Sequence, residues 1–308
     1  MIDEQTVHTD PKFKNMCNII HIDEKWFKGT KKNKTFYMLP SEDDLVRTVQ
    51  NKNSIDKVMF LAAVARPRYD EEGNCYFDGK LGIWPFVRQV MQTFVITFFL
   101  LEIIFIKLIF YILQEPAKRR SDNRPRGTLI SKTIKVARDT SISYFISKVL
   151  DAIVKKWPRE DRGKTIRIQQ DNAPSHVLAN DPDFALAVAQ TGLDIRIMNQ
   201  PPNSPDMNVL DLRFFASLQS KAYLRNSKNI DELIRNVEKE YVEYDQDMVN
   251  RVFLTLQGCF IEVMKLGGGN GYKIPHMNKE RLERLGTLPT RLSCDLQLYQ
   301  SVMLSLSQ

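Results

Sequence analysis

The chain has 308 residues, 43% of them apolar, which is enough for one large or two small domains with a proper core and excludes a disordered chain. Lys and Arg outnumber Asp and Glu by 44 to 37, and the net charge of +7 suits a polyanionic partner. The four cysteines, Cys17, Cys75, Cys259 and Cys294, stand far apart with no pair at metal-ligand spacing, so a zinc site or disulfide framework is not expected and a reducing compartment is.

Residues 1–17 are polar and Lys-rich, with no secretory signal and no helical repeat that would build a domain, and they read as a linker. Strands are expected at Asn18 to Phe27, Lys34 to Leu39 and Lys57 to Ala65, the last a nearly continuous apolar run that suits a central strand buried on both faces. Pro40 to Asp56 is polar and mixed in charge and reads as a long connection.

Val90 to Gln114 is an apolar block about long enough to span a bilayer. As a membrane helix it would carry Glu102 and Lys107 mid-span, each costing roughly 2.5–3.5 kcal/mol. A single crossing would also separate Asp23 from the later acids. As a buried soluble helix its unbroken apolarity and β-branched content are unusual. The third reading is a translated intron. Val codons begin with GT and one Gln codon ends in AG, so Val90 to Gln114 has the ends of a 25-codon in-frame insertion, and AU-rich sequence would yield the Phe, Ile, Leu, Tyr and Lys seen. Removing it joins Gln89 to Glu115 in one polar, basic loop, and this reading is preferred. The run that follows holds Lys118, Arg119, Arg120, Arg124 and Arg126, either a solvated loop or a set of phosphate contacts.

A helix is expected where Ile142, Phe145, Ile146, Val149, Leu150, Ile153 and Val154 recur at spacings of 3 and 4, ending at Trp157-Pro158. A short apolar strand, Thr165 to Ile168, leads into Gln169 to His176, QQDNAPSH, so Asp171 stands at its end and Pro174 blocks continuation. Asp181-Pro182 supplies an N-cap and first-turn proline for a helix ending by Gly192, and Asp194 to Met198 is another strand. Ser204 to Asp211 opens a helix. Two amphipathic stripes follow, Leu233, Ile234, Val237 and Tyr241, then Val249, Val252, Phe253, Leu256, Phe260, Val263 and Met264, broken by Gly267-Gly268-Gly269. The order argues for a mixed α/β sheet covered by helices, with a helical C-terminal part.

Asp23, Asp171 and Asp211 thus each have an address at a strand or helix end. Three converging acids are what a two-metal phosphoryl-transfer centre requires, since hard Mg²⁺ or Mn²⁺ prefers oxygen ligands and two ions about 3.5–4 Å apart serve the attacking and leaving oxygens.

HIDEKWF, QQDNAPSH and QPPNSPDMNVLDLRFF, in this order, resemble the three signature blocks of mariner-like transposases, and the 39 residues between Asp171 and Asp211 match the plant group. The similarity runs from about residue 11 to at least Pro289. It implies a ribonuclease H-like catalytic domain over residues 18–225, interrupted at 90–114, with a helical extension over 226–308. It further implies cut-and-paste DNA transposition with two Mg²⁺ or Mn²⁺ ions, transposon-end and target DNA as partners, a homodimer, a nuclear location, and no small-molecule substrate or membrane. Carried over, Asp23, Asp171 and Asp211 are the catalytic, metal-holding acids, and Asp206 is not one. Glu24 and Asn172 flank and support them. Lys25 and His176 are candidate DNA contacts, with His176 alternatively ordering its loop, while Trp26 and Phe27 read as core. Relatives carry helix-turn-helix readers ahead of this domain; here Met1 lies 22 residues before Asp23, so sequence-specific end recognition is expected to be missing. Arg213 replaces a residue that is more often Gly. A truncated, inactive copy is one expectation, and a non-catalytic DNA-binding or dimerisation remnant the alternative.

Overall fold

The computed structural model describes residues 1–29, 55–91, 129–225 and 227–307. The expected strand at 34–39, nearly all of the 40–56 connection, residues 92–114 of the apolar block and Lys118, Arg119, Arg120, Arg124 and Arg126 lie outside them. Val90 and Met91, at the head of that block, are in a strand. Among the described residues no helix is long and apolar enough to cross a membrane.

The strands are β1 (Ile19–Lys28), β2 (Lys57–Ala65), β3 (Arg68–Tyr69), β4 (Cys75–Phe77), β5 (Lys80–Pro85), β6 (Val87–Met91), β7 (Leu129–Thr133), β8 (Ile166–Gln170) and β9 (Ile195–Asn199). Five form one sheet in the order β5-β2-β1-β8-β9, with β2 antiparallel to both β1 and β5, and β1, β8 and β9 mutually parallel. β3–β4 and β6–β7 are separate antiparallel pairs. The edge strand β5 went unassigned in the sequence because KLGIWP is short and carries Gly82 and Pro85; proline is tolerated there because an edge strand leaves N–H groups unpaired.

Both faces of the sheet are buried, and the side chains alternate between two cores. Val58, Phe60, Ala62 and Val64 of β2 join Ile19 and Phe27 of β1 on one face, whereas Leu61, Ala63 and Ala65 join Ile20 and Ile22 on the other. The second face is covered by a continuous run of α1 (Arg138–Tyr144), a π-helical turn (Phe145–Leu150) and α2 (Asp151–Lys156), together with α3 (Pro182–Thr191). Asp181 caps α3 as expected, accepting from Asp183 and Phe184 N–H, and Gly192 ends it at φ +69°.

The first face is covered by α4 (Phe215–Leu224), α5 (Ile230–Val242) and α6 (Gln246–Lys265), so the expected C-terminal extension shares its core with β1 and β2. α7 (Lys279–Arg284) and α8 (Leu296–Leu306) follow. The N-terminal segment is laid against the tail: Phe13 N–H donates to Leu292 O at 3.0 Å, Cys294 N–H donates to Pro11 O at 2.7 Å, and Phe13 is buried with Leu254, Leu292 and Cys294. Buried Gln257 of α6 holds both strands of this strap, donating to Lys14 O at 3.1 Å and accepting from Leu292 N–H at 2.7 Å.

Candidate active site

The parallel register of β1 and β8 pairs Ile19 with Arg167, Ile20 with Ile168 and His21 with Gln169. Continued by two residues, the same register sets Asp23 level with Asp171 where the two strands part. Asp211 arrives from the first face. After a 3₁₀ turn (Pro205–Met207) the chain re-enters a helix through a π turn, Leu210–Phe214, that runs straight into α4. Asp211 lies in the first turn of that run, where the helix dipole favours negative charge. Such π segments are rare and concentrate at functional sites.

Side-chain amides fix these elements to one another. Buried Asn208 donates from Nδ2 to Ile22 O at 3.2 Å while its Oδ1 accepts Leu210 N–H at 3.0 Å, tying β1 to the helix that carries Asp211. Gln169 Nε2 donates to Met207 O at 2.7 Å, and Asn172 Nδ2 to Gln200 O at 2.9 Å. Asn208 was missed in the sequence although it lies inside the third motif block, because only its partner Ile22, 186 residues away, reveals the role.

Asp23 and Asp211 meet within hydrogen-bonding reach. Burial first, then the charges of Asp211 and Glu24, push the Asp23 carboxyl up to about 8, against the one opposing bond from Glu24 N–H to Asp23 Oδ1 at 2.7 Å. Asp171 is held differently. Its Oδ1 accepts Ala173 N–H at 2.8 Å and lies 2.7 Å from His176 Nδ1, while His176 Nε2 is 2.8 Å from Glu24 Oε2. Burial alone would lower the His176 pKa, but the hydrogen bond to Glu24 and the charges of Glu24 and Asp171 outweigh it and raise it to about 9. His176 is therefore an imidazolium between two carboxylates, its side chain only 8% exposed.

The other named residues sort as follows. Lys25 Nζ lies 5.6 Å from the centre of the Phe215 ring. Phe27 is fully buried, but Trp26 is 40% exposed with Lys57 Nζ 4.6 Å from its ring centre, which corrects its reading as core: it alternates onto the second face, past the end of that core. Asp206 accepts the Tyr272 hydroxyl, away from the acid pair.

The donor set suits a hard divalent cation: Asp23 and Asp211 face each other and, among the described residues, neither is paired with a cation, so Asp23 keeps a proton that a metal ion would displace. Asp171, paired with His176, does not close with them, and among the described residues no three His, Cys, Asp or Glu side chains form a group that could hold a metal.

Architecture and site together define an α/β protein of ribonuclease H-like fold, with one acid in the middle of β1, not at its end, and another just past the end of the parallel strand β8. Solved structures sharing it are complexes of the Mos1 mariner transposase. They include a pre-cleavage transpososome (14% identity, TM-score 0.53, 83% of this chain and 58% of that one). A strand transfer complex (15%, 0.52, 84% and 56%) and a paired-end complex with Mn (16%, 0.51, 83% and 57%) are similar to the same degree. The chain spans a little over half the length of these transposase chains. No family model matches it, and no curated protein does.

Proposed function

We propose that the chain is the catalytic domain of a mariner-like DNA transposase, of the plant group by its 39-residue spacing, acting on nuclear DNA as a homodimer. The observation that supports this reading is the contact of Asp23 with Asp211, with Asp171 at the end of the strand parallel to β1, each borne by one motif block, on a ribonuclease H-like sheet. Asp23 and Asp211 would hold a divalent ion jointly, and Asp171 would complete the set on leaving His176. Bound Mg²⁺ or Mn²⁺ would activate the attacking oxygen of water or a 3′-hydroxyl and stabilise the leaving oxygen of the DNA phosphodiester. The protein's own part is positional. Asn208 sets the height of Asp211 against β1, Glu24 and His176 hold Asp171 in its metal-free position, and Asp23 would hold a bound cation in its deprotonated form. Lys25 and the basic run from Lys118 to Arg126 would contact the DNA backbone.

The purified chain, incubated with nicked or pre-cut DNA and Mn²⁺, is expected to cleave or join strands, with Asp171→Asn lowering the rate by about 10²–10³-fold, the scale of a lost electrostatic partner in the transition state. Activity unchanged by that substitution overturns the assignment. The Asp171–His176 ion pair favours a second reading, a non-catalytic remnant that binds DNA or dimerises. That reading expects DNA binding that survives loss of any acid and no cleavage at any Mn²⁺ concentration.

A further inference from the structure

Behind the helix that carries Asp211 lies a cavity of about 500 Å³, walled by that helix, by α6 and by the segment leading into α7. Three of its wall residues are cations from different elements: Arg213 of the π turn, Arg251 of α6 and Lys279 at the start of α7. Glu280 is the acid on this wall, and Arg251 is paired with Glu283 beside it. Arg213 and Lys279 have no hydrogen-bond or ion-pair partner among the described residues. Burial, then the charge of Arg213 and that of Arg251, hold the Lys279 ammonium below the ordinary lysine value. Converging cations that repel one another in a half-desolvated space are the arrangement an incoming phosphate relieves, and arginine adds a planar fork that matches two phosphate oxygens.

We propose that this cavity is a subsite for a non-scissile backbone phosphate of a DNA strand. The proposal rests on the reading of the chain as a protein that acts on DNA. Residues two apart on a helix face different ways, so Asp211 and Arg213 address different parts of one ligand. A strand crossing the start of this helix would present one phosphate to the acids and another, further along, to the cavity. The volume lies within the roughly 300–1,000 Å³ that takes a small organic ligand, and Leu212, Val252, Ile274 and Pro275 supply an apolar wall for the attached sugar.

The test is metal-free. Binding of a short labelled duplex to the whole chain is followed by fluorescence anisotropy in EDTA across a salt series. Arg213→Ala combined with Lys279→Ala is expected to weaken binding roughly tenfold at about 100 mM salt and to reduce the salt slope by about 1. Arg213→Lys with Lys279→Arg should restore most of the affinity, and Lys148→Ala, on the other side of the sheet, should change nothing. Binding unaffected by the double alanine substitution overturns the proposal. So does inorganic pyrophosphate that stabilises the wild-type chain and not the double variant without competing with DNA, because the cavity would then serve a free phosphate compound. If the double variant does not fold, acetylation of Lys279 in the wild-type chain decides: DNA should slow it, and equal rates with and without DNA refute the subsite. None of these readouts depends on cleavage, so loss of the transposase reading through the Asp171→Asn experiment would be seen separately.

Discussion

The two halves of the candidate site use the same residue type in opposite electrostatic states. Asp171 carries its counter-charge with it, in an imidazolium that also satisfies Glu24. Asp23 and Asp211 face each other with no cation paired to either among the described residues, and Asp23 answers by keeping a proton. Desolvation decides the difference. A carboxylate beside an imidazolium has its counter-charge at hand and stiffens its loop, whereas a desolvated carboxylate beside another carboxylate must be neutralised by a proton or by a metal.

The largest expected effect strikes the balanced half. His176→Ala leaves Glu24, 15% exposed, without its cation, and should cost roughly 3–5 kcal/mol in urea unfolding at neutral pH. A loss below about 1 kcal/mol would mean that water replaces the imidazolium freely. In the unbalanced half, Asp211→Asn should lower Mn²⁺-dependent cleavage by about 10²–10³-fold, in line with a lost transition-state partner. Removing the like charge should also leave the metal-free chain at least as stable at pH 8 as the wild type. A lower melting temperature at pH 8 would show that the two acids do not repel.

Titration separates the halves further. The folded pKa of His176 is raised from 6.5 to about 9, so its stabilisation is complete below about 6.5 and lost as pH rises through 9. Asp23 is raised from 3.8 to about 8, so the folded chain binds more protons between these values and stability falls across that range as well. Metal-free melting temperatures should therefore decline steadily from pH 5 to pH 9, and His176→Ala should flatten only the portion above about 6.5. The smallest effect is expected from cation binding itself. At a fixed concentration 100 times its Kd at pH 8, Mn²⁺ should stabilise by about 2.7 kcal/mol at pH 8 and by less at pH 6, where Asp23 must first release its proton. A thermal shift with no pH dependence would place the ion away from Asp23.

Much of this was legible in the sequence because the signals are local. The near-continuous apolar run of β2, the Asp181 cap of α3 and the stripes of α5 and α6 are properties of a few adjacent residues. The acids could be addressed for the same reason, each standing beside an apolar strand or at a helix start. What escaped depends on separation. The His176–Glu24 bond spans 152 residues and the Asn208–Ile22 bond 186, so neither has a local signature. Trp26 escaped because alternation tells which face a side chain takes and not where the covering layer stops.

The strap formed by residues 11–14 and 292–294 closes over an internal knot. Arg66, at the end of β2, donates to Asn15 O at 2.7 Å, to Thr290 O and to Asn250 Oδ1 at 2.9 Å, and Arg291 reaches Asp3 at 2.6 Å. One guanidinium thereby fastens both terminal regions to α6, the helix that also walls the basic cavity. Severing either region with a protease should loosen the other as well, so limited digestion ought to release the two ends in quick succession and leave the sheet intact.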